Sequence, residues 1–231
     1  MIISKTKKIF DSDFQIKLDG KTLERCSEYK YLGVYIDEKL NWKKHIQYLC
    51  DKMSKVCGYF AKLRYCAGLK TIKMVYNALV FSHLKYCNIV WGSATKTVMK
   101  PLADLHNRIV KTITFAPFQA TNVQELFEKL KIHNIDQIHN LELGKFMFKY
   151  KNGLLPDQFE GYFHLSGATH DHNLRSVAQQ KLTQPKVNGL YGLKMIHSTG
   201  AKLWNDLPAE IKNQKTIKTF TNLFKFYILE M

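Results

Sequence analysis

From Trp42 to Leu63 the residues Trp42, Ile46, Leu49, Met53, Val56, Phe60 and Leu63 recur in alternating steps of four and three. That spacing draws one apolar face along a long helix, and other elements of the fold have to cover such a face. Asn41 stands where it caps the helix, which is expected to run to about Tyr65 and to stop before Gly68. Just upstream, Tyr29, Tyr31, Val34 and Ile36 form an aromatic and β-branched run broken by Gly33, which reads as a strand bent at the glycine. A strand with a kink therefore feeds a long helix.

The helix is also where the charge lies. The chain carries 35 Lys and Arg against 19 Asp and Glu, a net charge of +16. Between Lys39 and Lys100 there are twelve basic residues and a single acid, Asp51, so that segment holds +11 of the total. Solubility is served by mixed charges, whereas a one-signed block on folded helices points to a polyanionic partner, above all nucleic acid. Lys43, Lys44, Lys52, Lys55, Lys62 and Arg64 lie off the apolar stripe, giving the helix a core side and a basic side.

The remaining pattern is β-rich at the start and helical afterwards. Phe14, Ile16 and Leu18 alternate into Asp19-Gly20, a hairpin turn signal, and Thr22 and Leu23 resume the strand. A second helix is expected over Thr71–Tyr86, burying Met74, Ala78 and Phe81, with Tyr76 and Leu84 as further core candidates. Pro101 is expected to open a third, carrying Leu102, Leu105, Ile109 and Ile113. Asn122 can cap Val123–Leu130, and Asp136–Tyr150 reads as another helix. Gly153 to Arg175 is irregular and marks a boundary. Beyond it come an extended stretch near Lys181–Val187, a helix with Ala201, Leu203 and Trp204 stopped by Pro208, and a last helix over Ile217–Leu229.

The five cysteines, Cys26, Cys50, Cys57, Cys66 and Cys87, are odd in number and form no CxxC pair, and Cys50 and Cys57 fall beside the helix stripe as small core residues. With no apolar leader and no run of membrane-spanning length, the expectation is a reduced intracellular protein without a membrane partner, whether or not the compartment is the nucleus.

A series of short blocks runs along the chain: Ser4-Lys5-Thr6, Tyr31-Leu32-Gly33-Val34, Leu40-Asn41-Trp42 with His45-Ile46, and Leu84-Lys85-Tyr86 with Val90-Trp91-Gly92. Leu105-His106-Asn107-Arg108, Gly153-Leu154-Leu155-Pro156, Asn173-Leu174-Arg175 and Gly200-Ala201-Lys202-Leu203-Trp204-Asn205-Asp206-Leu207-Pro208 follow. Taken in order, these blocks resemble the downstream half of a reverse transcriptase from a non-LTR (LINE-type, jockey-like) retrotransposon. Two positions depart from the family pattern: Cys87 stands where a Gly is expected, and His106 where a Gln is expected. The resemblance implies a mostly helical α+β protein: an end-of-palm β-hairpin region over 1–38, a helical thumb-like domain over 39–152 and a small mixed C-terminal lobe over 153–231.

The resemblance also implies a use for each block. The hairpin with Tyr31 and Gly33 would support a primer terminus, since a glycine lets backbone approach a ligand and a tyrosine offers a flat face. The other reading, Tyr31 packed under the helix and Gly33 relieving a bend, stays open. Lys43, Lys44, Lys52, Lys55, Lys62 and Arg64 would track a template–primer duplex through its phosphates, and Trp42 is read as core. Polymerases of this family place two metal ions on palm aspartates, including an adjacent Asp-Asp. This sequence has no Asp-Asp; Asp11-Ser12-Asp13 is the nearest imitation and reads as solvated, and Lys5, at the position of a pyrophosphate-assisting lysine, lacks the strands that would hold it. The expectation is a catalytically inactive fragment with no cofactor of its own, magnesium belonging only to a parent with the aspartates. Its partners would be an RNA or DNA template–primer duplex and the upstream polymerase region. A structural zinc needs four convergent ligands, and His170, Asp171 and His172, even with His164, have no cysteine nearby to help. A non-enzymatic helical module for protein interaction is the alternative, and it predicts no affinity for nucleic acid.

Overall fold

The computed structural model describes Met1, Ile3 and residues 15–117, 122–165, 181–187 and 189–230. The chain divides into two compact units, one of residues 1–83 and 94–118, the other of 84–93 and 119–231.

The first unit opens with two antiparallel hairpins. Strands β1 (Lys17–Leu18) and β2 (Lys21–Thr22) pair across Asp19 and Gly20, both at positive φ, as the Asp-Gly signal requires. Strands β3 (Glu28–Tyr31) and β4 (Val34–Asp37) pair from Glu28↔Asp37 to Tyr31↔Val34. The run expected as one bent strand is therefore a hairpin. Leu32 (φ 45°) and Gly33 (φ 84°) are both left-handed, and two successive residues in that region reverse the chain instead of kinking it.

Helix α1 covers Lys43–Cys66. Its stripe is buried as expected from Trp42 through Phe60, with Leu63 half-buried and His45 added at 2% exposure. The start differs by one residue. Trp42 occupies the capping position in left-handed backbone (φ 66°), while the Asn41 side chain accepts from the Lys43 N–H at 2.9 Å. The loop before it is held by Asp37, whose carboxylate accepts from the backbone N–H groups of Lys39 (3.0 Å), Asn41 (3.2 and 3.1 Å) and Trp42 (2.9 Å). A charged acceptor bonded to three amides gathers the hairpin and the helix start into one rigid corner.

Helix α2 (Leu69–Tyr76) continues into a π-helical segment at Asn77–Phe81, and helix α3 (Ser82–Lys85) follows. This segment corrects the expected core set. Ile72, Tyr76 and Val80 are buried, whereas Met74 is 65% exposed, Ala78 is exposed and Phe81 is half-buried. A π turn closes i→i+5 and is wider than an α turn, so residues four apart stay on one face through it. Leu84 is buried, as expected.

After α4 (Asn88–Trp91), helix α5 spans Lys96–Thr114 and packs along α1. Pro101 does not open it. The Thr95 hydroxyl caps the helix, accepting from the Val98 N–H at 3.4 Å, and Pro101 is its sixth residue, on the exposed side, where water can satisfy the carbonyl that a proline leaves unbonded. Leu102, Ile109 and Ile113 are buried; Leu105 is half-buried, and His106 fills the core in its place.

The second unit is helical around α7. Helix α6 (Val123–Leu130) is capped by Asn122, and α7 (Ile135–Lys151) by a reciprocal box between Asn134 and Gln137. Helices α8 (Leu190–Lys194), α9 (Ile196–Asp206), α10 (Ala209–Lys212) and α11 (Ile217–Glu230) complete it, with α9 and α11 both packed on α7. Residues 181–187 form no helix or strand beyond the Leu165↔Leu182 bridge.

Candidate nucleic-acid interface

Helix α1 carries a second stripe beside its buried one. Lys44, Tyr48, Lys52, Lys55, Tyr59 and Lys62 recur in steps of four, four, three, four and three, one position before the core residues Leu49, Met53, Val56, Phe60 and Leu63. Lys44, Lys55, Tyr59 and Lys62 are exposed, and Tyr48 and Lys52 half-buried. Tyr59 shows 63% of its surface. Tyr48 and Tyr59 were not among the expected site residues. Their signal was present in the sequence, as aromatics at helical spacing between lysines, the interleaving that suits a phosphate backbone with stacked bases.

The β3–β4 hairpin closes one end of this face. Tyr35 meets Tyr48 edge-on at 5.2 Å, and the Lys30 ammonium lies 5.3 Å from the Tyr35 ring and 4.9 Å from the Tyr48 ring, with Lys52 at 4.7 Å from Tyr48. Lys52, by hydrogen bonding and charge, holds the Tyr48 phenol below the usual tyrosine range, and Lys30 adds to the effect. These ammonium groups lie against ring faces, and among the described residues neither Lys30 nor Lys52 pairs with an acid. Lys44 is the exception, with Glu28 at 3.1 Å, and at about half exposure on both sides such a pair is weak.

His45 ties the hairpin to the helix. Its Nδ1 accepts from the Tyr35 N–H at 3.4 Å, and burial lowers its pKa to about 4, so the ring stays neutral and able to accept. Tyr31 is 58% exposed and does not pack under α1, and Gly33 is exposed at the turn. Lys43 is exposed at the first turn of α1. Arg64 is committed elsewhere: it donates to the Thr112 carbonyl at 3.1 Å and the Tyr65 hydroxyl at 2.8 Å, and its guanidinium lies 4.8 and 4.4 Å from the Tyr65 and Phe115 rings. Six of the eight expected residues thus sit on the α1 face or at the hairpin turn, Lys43 lies beside them, and Arg64 braces α1 against α5.

Over 105 residues the chain is 28% identical to a retrovirus-related Pol polyprotein from a type-1 retrotransposable element R1 of Nasonia vitripennis, a match covering 44% of this chain and 27% of the relative. It is 25% identical over 125 residues to a probable RNA-directed DNA polymerase from transposon BS of Drosophila melanogaster (53% and 14%). With the RNA-directed DNA polymerase of mobile element jockey from Drosophila funebris it shares 27% over 107 residues (45% and 12%). Over about half of its length the chain is similar to polymerase polyproteins of non-LTR retrotransposons. The matched region spans about a quarter or less of each of these relatives. No protein-family model and no solved structure matches the chain.

Several blocks that carry the non-LTR resemblance have structural work. Cys87, at the position of an expected glycine, is in left-handed backbone (φ 49°), the conformation for which glycine is suited. A Cβ on Gly92 would strike His139 Nδ1 and Asn88, and those two side chains bond each other at 2.9 Å. In the Gly200–Pro208 block, a Cβ on Gly200 would meet the Met147 sulfur at 2.7 Å, and Trp204 and Leu207 are buried. The Asn205 amide bonds both the N–H and the C=O of Leu182, each at 2.9 Å, as a neighbouring strand would. Among the described residues no three His, Cys, Asp or Glu side chains converge. Lys5, Asp11, Asp13, His170, Asp171, His172 and the Asn173–Arg175 block lie outside the described residues, and His164 is exposed.

Proposed function

We propose that this chain is a thumb-like, template–primer-binding fragment of a non-LTR reverse transcriptase. The observation that carries the reading is the Lys44–Lys62 stripe, in which two tyrosines stand among four lysines on the face of α1 next to its buried side. Lysines there would neutralise successive phosphates without reading sequence, and Tyr48 and Tyr59 would lie against sugars or bases. The hairpin turn at Leu32-Gly33, with Tyr31 exposed beside it, would hold the primer terminus. The sequence carries no adjacent Asp-Asp, so the chain alone would bind a duplex without extending it, and extension would require aspartates from an upstream polymerase region.

The test is a fluorescence-anisotropy titration of a primer–template duplex at several salt concentrations. Binding should weaken steeply with salt, and K52Q/K55Q/K62Q should flatten the log–log slope by about 2.7, roughly 0.9 for each phosphate left without its lysine. Absence of binding at low salt, or binding indifferent to salt, would support a protein-interaction module instead. Primer extension by the chain alone with magnesium and deoxynucleotides would refute the inactive assignment.

A further inference from the structure

A second basic site lies in the other unit, well away in sequence from the α1 stripe. A cavity of about 570 Å³ is walled by α7, α11 and the end of α3, and Lys85, Lys145, Lys149, Lys218 and Lys225 all line it. Glu142 is the one carboxylate in the lining, and it is already taken: Lys145 donates to it at 2.7 Å, both side chains being under a fifth exposed. Among the described residues Lys85, Lys149, Lys218 and Lys225 have no ion-pair partner. Like charges gathered in a concavity repel one another, and an anion is what would relieve them. The repulsion registers on Lys145, whose pKa is lowered chiefly by burial and further by Lys85 and Lys225, against the pull of Glu142.

The cavity is not uniformly polar. Ile89, Phe146 and Leu155 contribute apolar wall, and Asn222 adds an amide. Ammonium groups and apolar side chains lining one cavity suit a ligand that carries both phosphates and a sugar or base. The volume falls in the range of small-molecule sites, enough for roughly one or two nucleotides and too little for a duplex. We propose that this cavity binds the phosphate backbone of single-stranded nucleic acid, separately from duplex binding on α1.

The experiment uses the full chain and a short fluorescein-labelled oligothymidylate. K85Q/K149Q/K218Q changes three exposed lysines of the cavity, and K151Q/K202Q/K215Q removes the same charge from exposed positions of the same unit outside it. The cavity variant should bind the oligonucleotide at least about tenfold more weakly at low salt, with a salt slope reduced by about 2, while the control stays within about twofold of the parent. Far-UV circular dichroism checks that both variants keep their helices. Equal losses in the two variants, or none in the cavity variant, overturns the proposal. So does full displacement by pyrophosphate at equal phosphate concentration, which would mean a small-anion site, or by polyglutamate at equal charge, which would mean an acidic peptide. Duplex binding by the cavity variant should match the parent, and its loss of oligonucleotide binding stands whether or not α1 binds duplex.

Discussion

Replacing His106 by Gln isolates the contribution of one buried titratable group. His106 is wholly buried in α5, and its Nε2 is 2.7 Å from the Tyr76 hydroxyl, with the two rings stacked at 5.9 Å. Burial pushes its pKa down to about 3 from the ordinary 6.5. The native state therefore keeps the imidazole neutral while the unfolded chain takes up a proton. The associated stability is present in full above pH 6.5 and is lost as pH falls from 6.5 towards 3. At pH 5 the loss amounts to about 2 kcal/mol, from 1.36 kcal/mol per pH unit. Gln cannot take up a proton, approximates the shape of the ring and can still bond the phenol. H106Q should cost about 1 kcal/mol at pH 7.5 through imperfect packing and then lose about 2 kcal/mol less than the parent on going to pH 5. Urea unfolding at both values, followed by far-UV circular dichroism, gives this double difference. His45, His83, His133 and His139, whose pKa values are also lowered chiefly by burial, act equally on both proteins and cancel. A double difference near zero would refute the linkage, because the buried ring would then not be what resists protonation.

Two further substitutions test the backbone and the side-chain lock. C87G should stabilise the protein by about 1 kcal/mol, since glycine adopts the left-handed conformation at this position without a Cβ clash; thermal unfolding reports it, and a lowered midpoint contradicts the strain reading. N205A should cost about 2 kcal/mol by leaving the Leu182 N–H and C=O without their amide partner, read as a drop in urea midpoint, whereas no change would mean that water replaces the amide freely.

Features with a strong local cause were legible along the chain. The α1 stripe, the Asp19-Gly20 hairpin, the Asn122 cap and the polarity of α1 depend on residues within a turn or two of one another, where spacing alone fixes which side chains share a face. The basic half of the candidate interface was legible for the same reason. Its aromatic half was equally present, one position before the core stripe, but a count of lysines does not point to the tyrosines between them.

What only tertiary structure decided lies where distant segments choose between local options. Asp37 reads as an ordinary strand end until its carboxylate gathers three amides at the start of α1. Arg64 looks like another phosphate contact until the Thr112 carbonyl and the Phe115 ring, some fifty positions away, engage it. The sequence marks His106 only as standing where a Gln is expected, and the burial supplied by the rest of the core turns it into a neutral partner for Tyr76. Cys87 shows the same division from the other side. The resemblance marks it as a missing glycine, but the positive φ that gives the substitution its cost is seen only in the folded chain. Periodicity is a property of neighbours in sequence, whereas burial, strain and pKa depend on what the completed fold brings alongside.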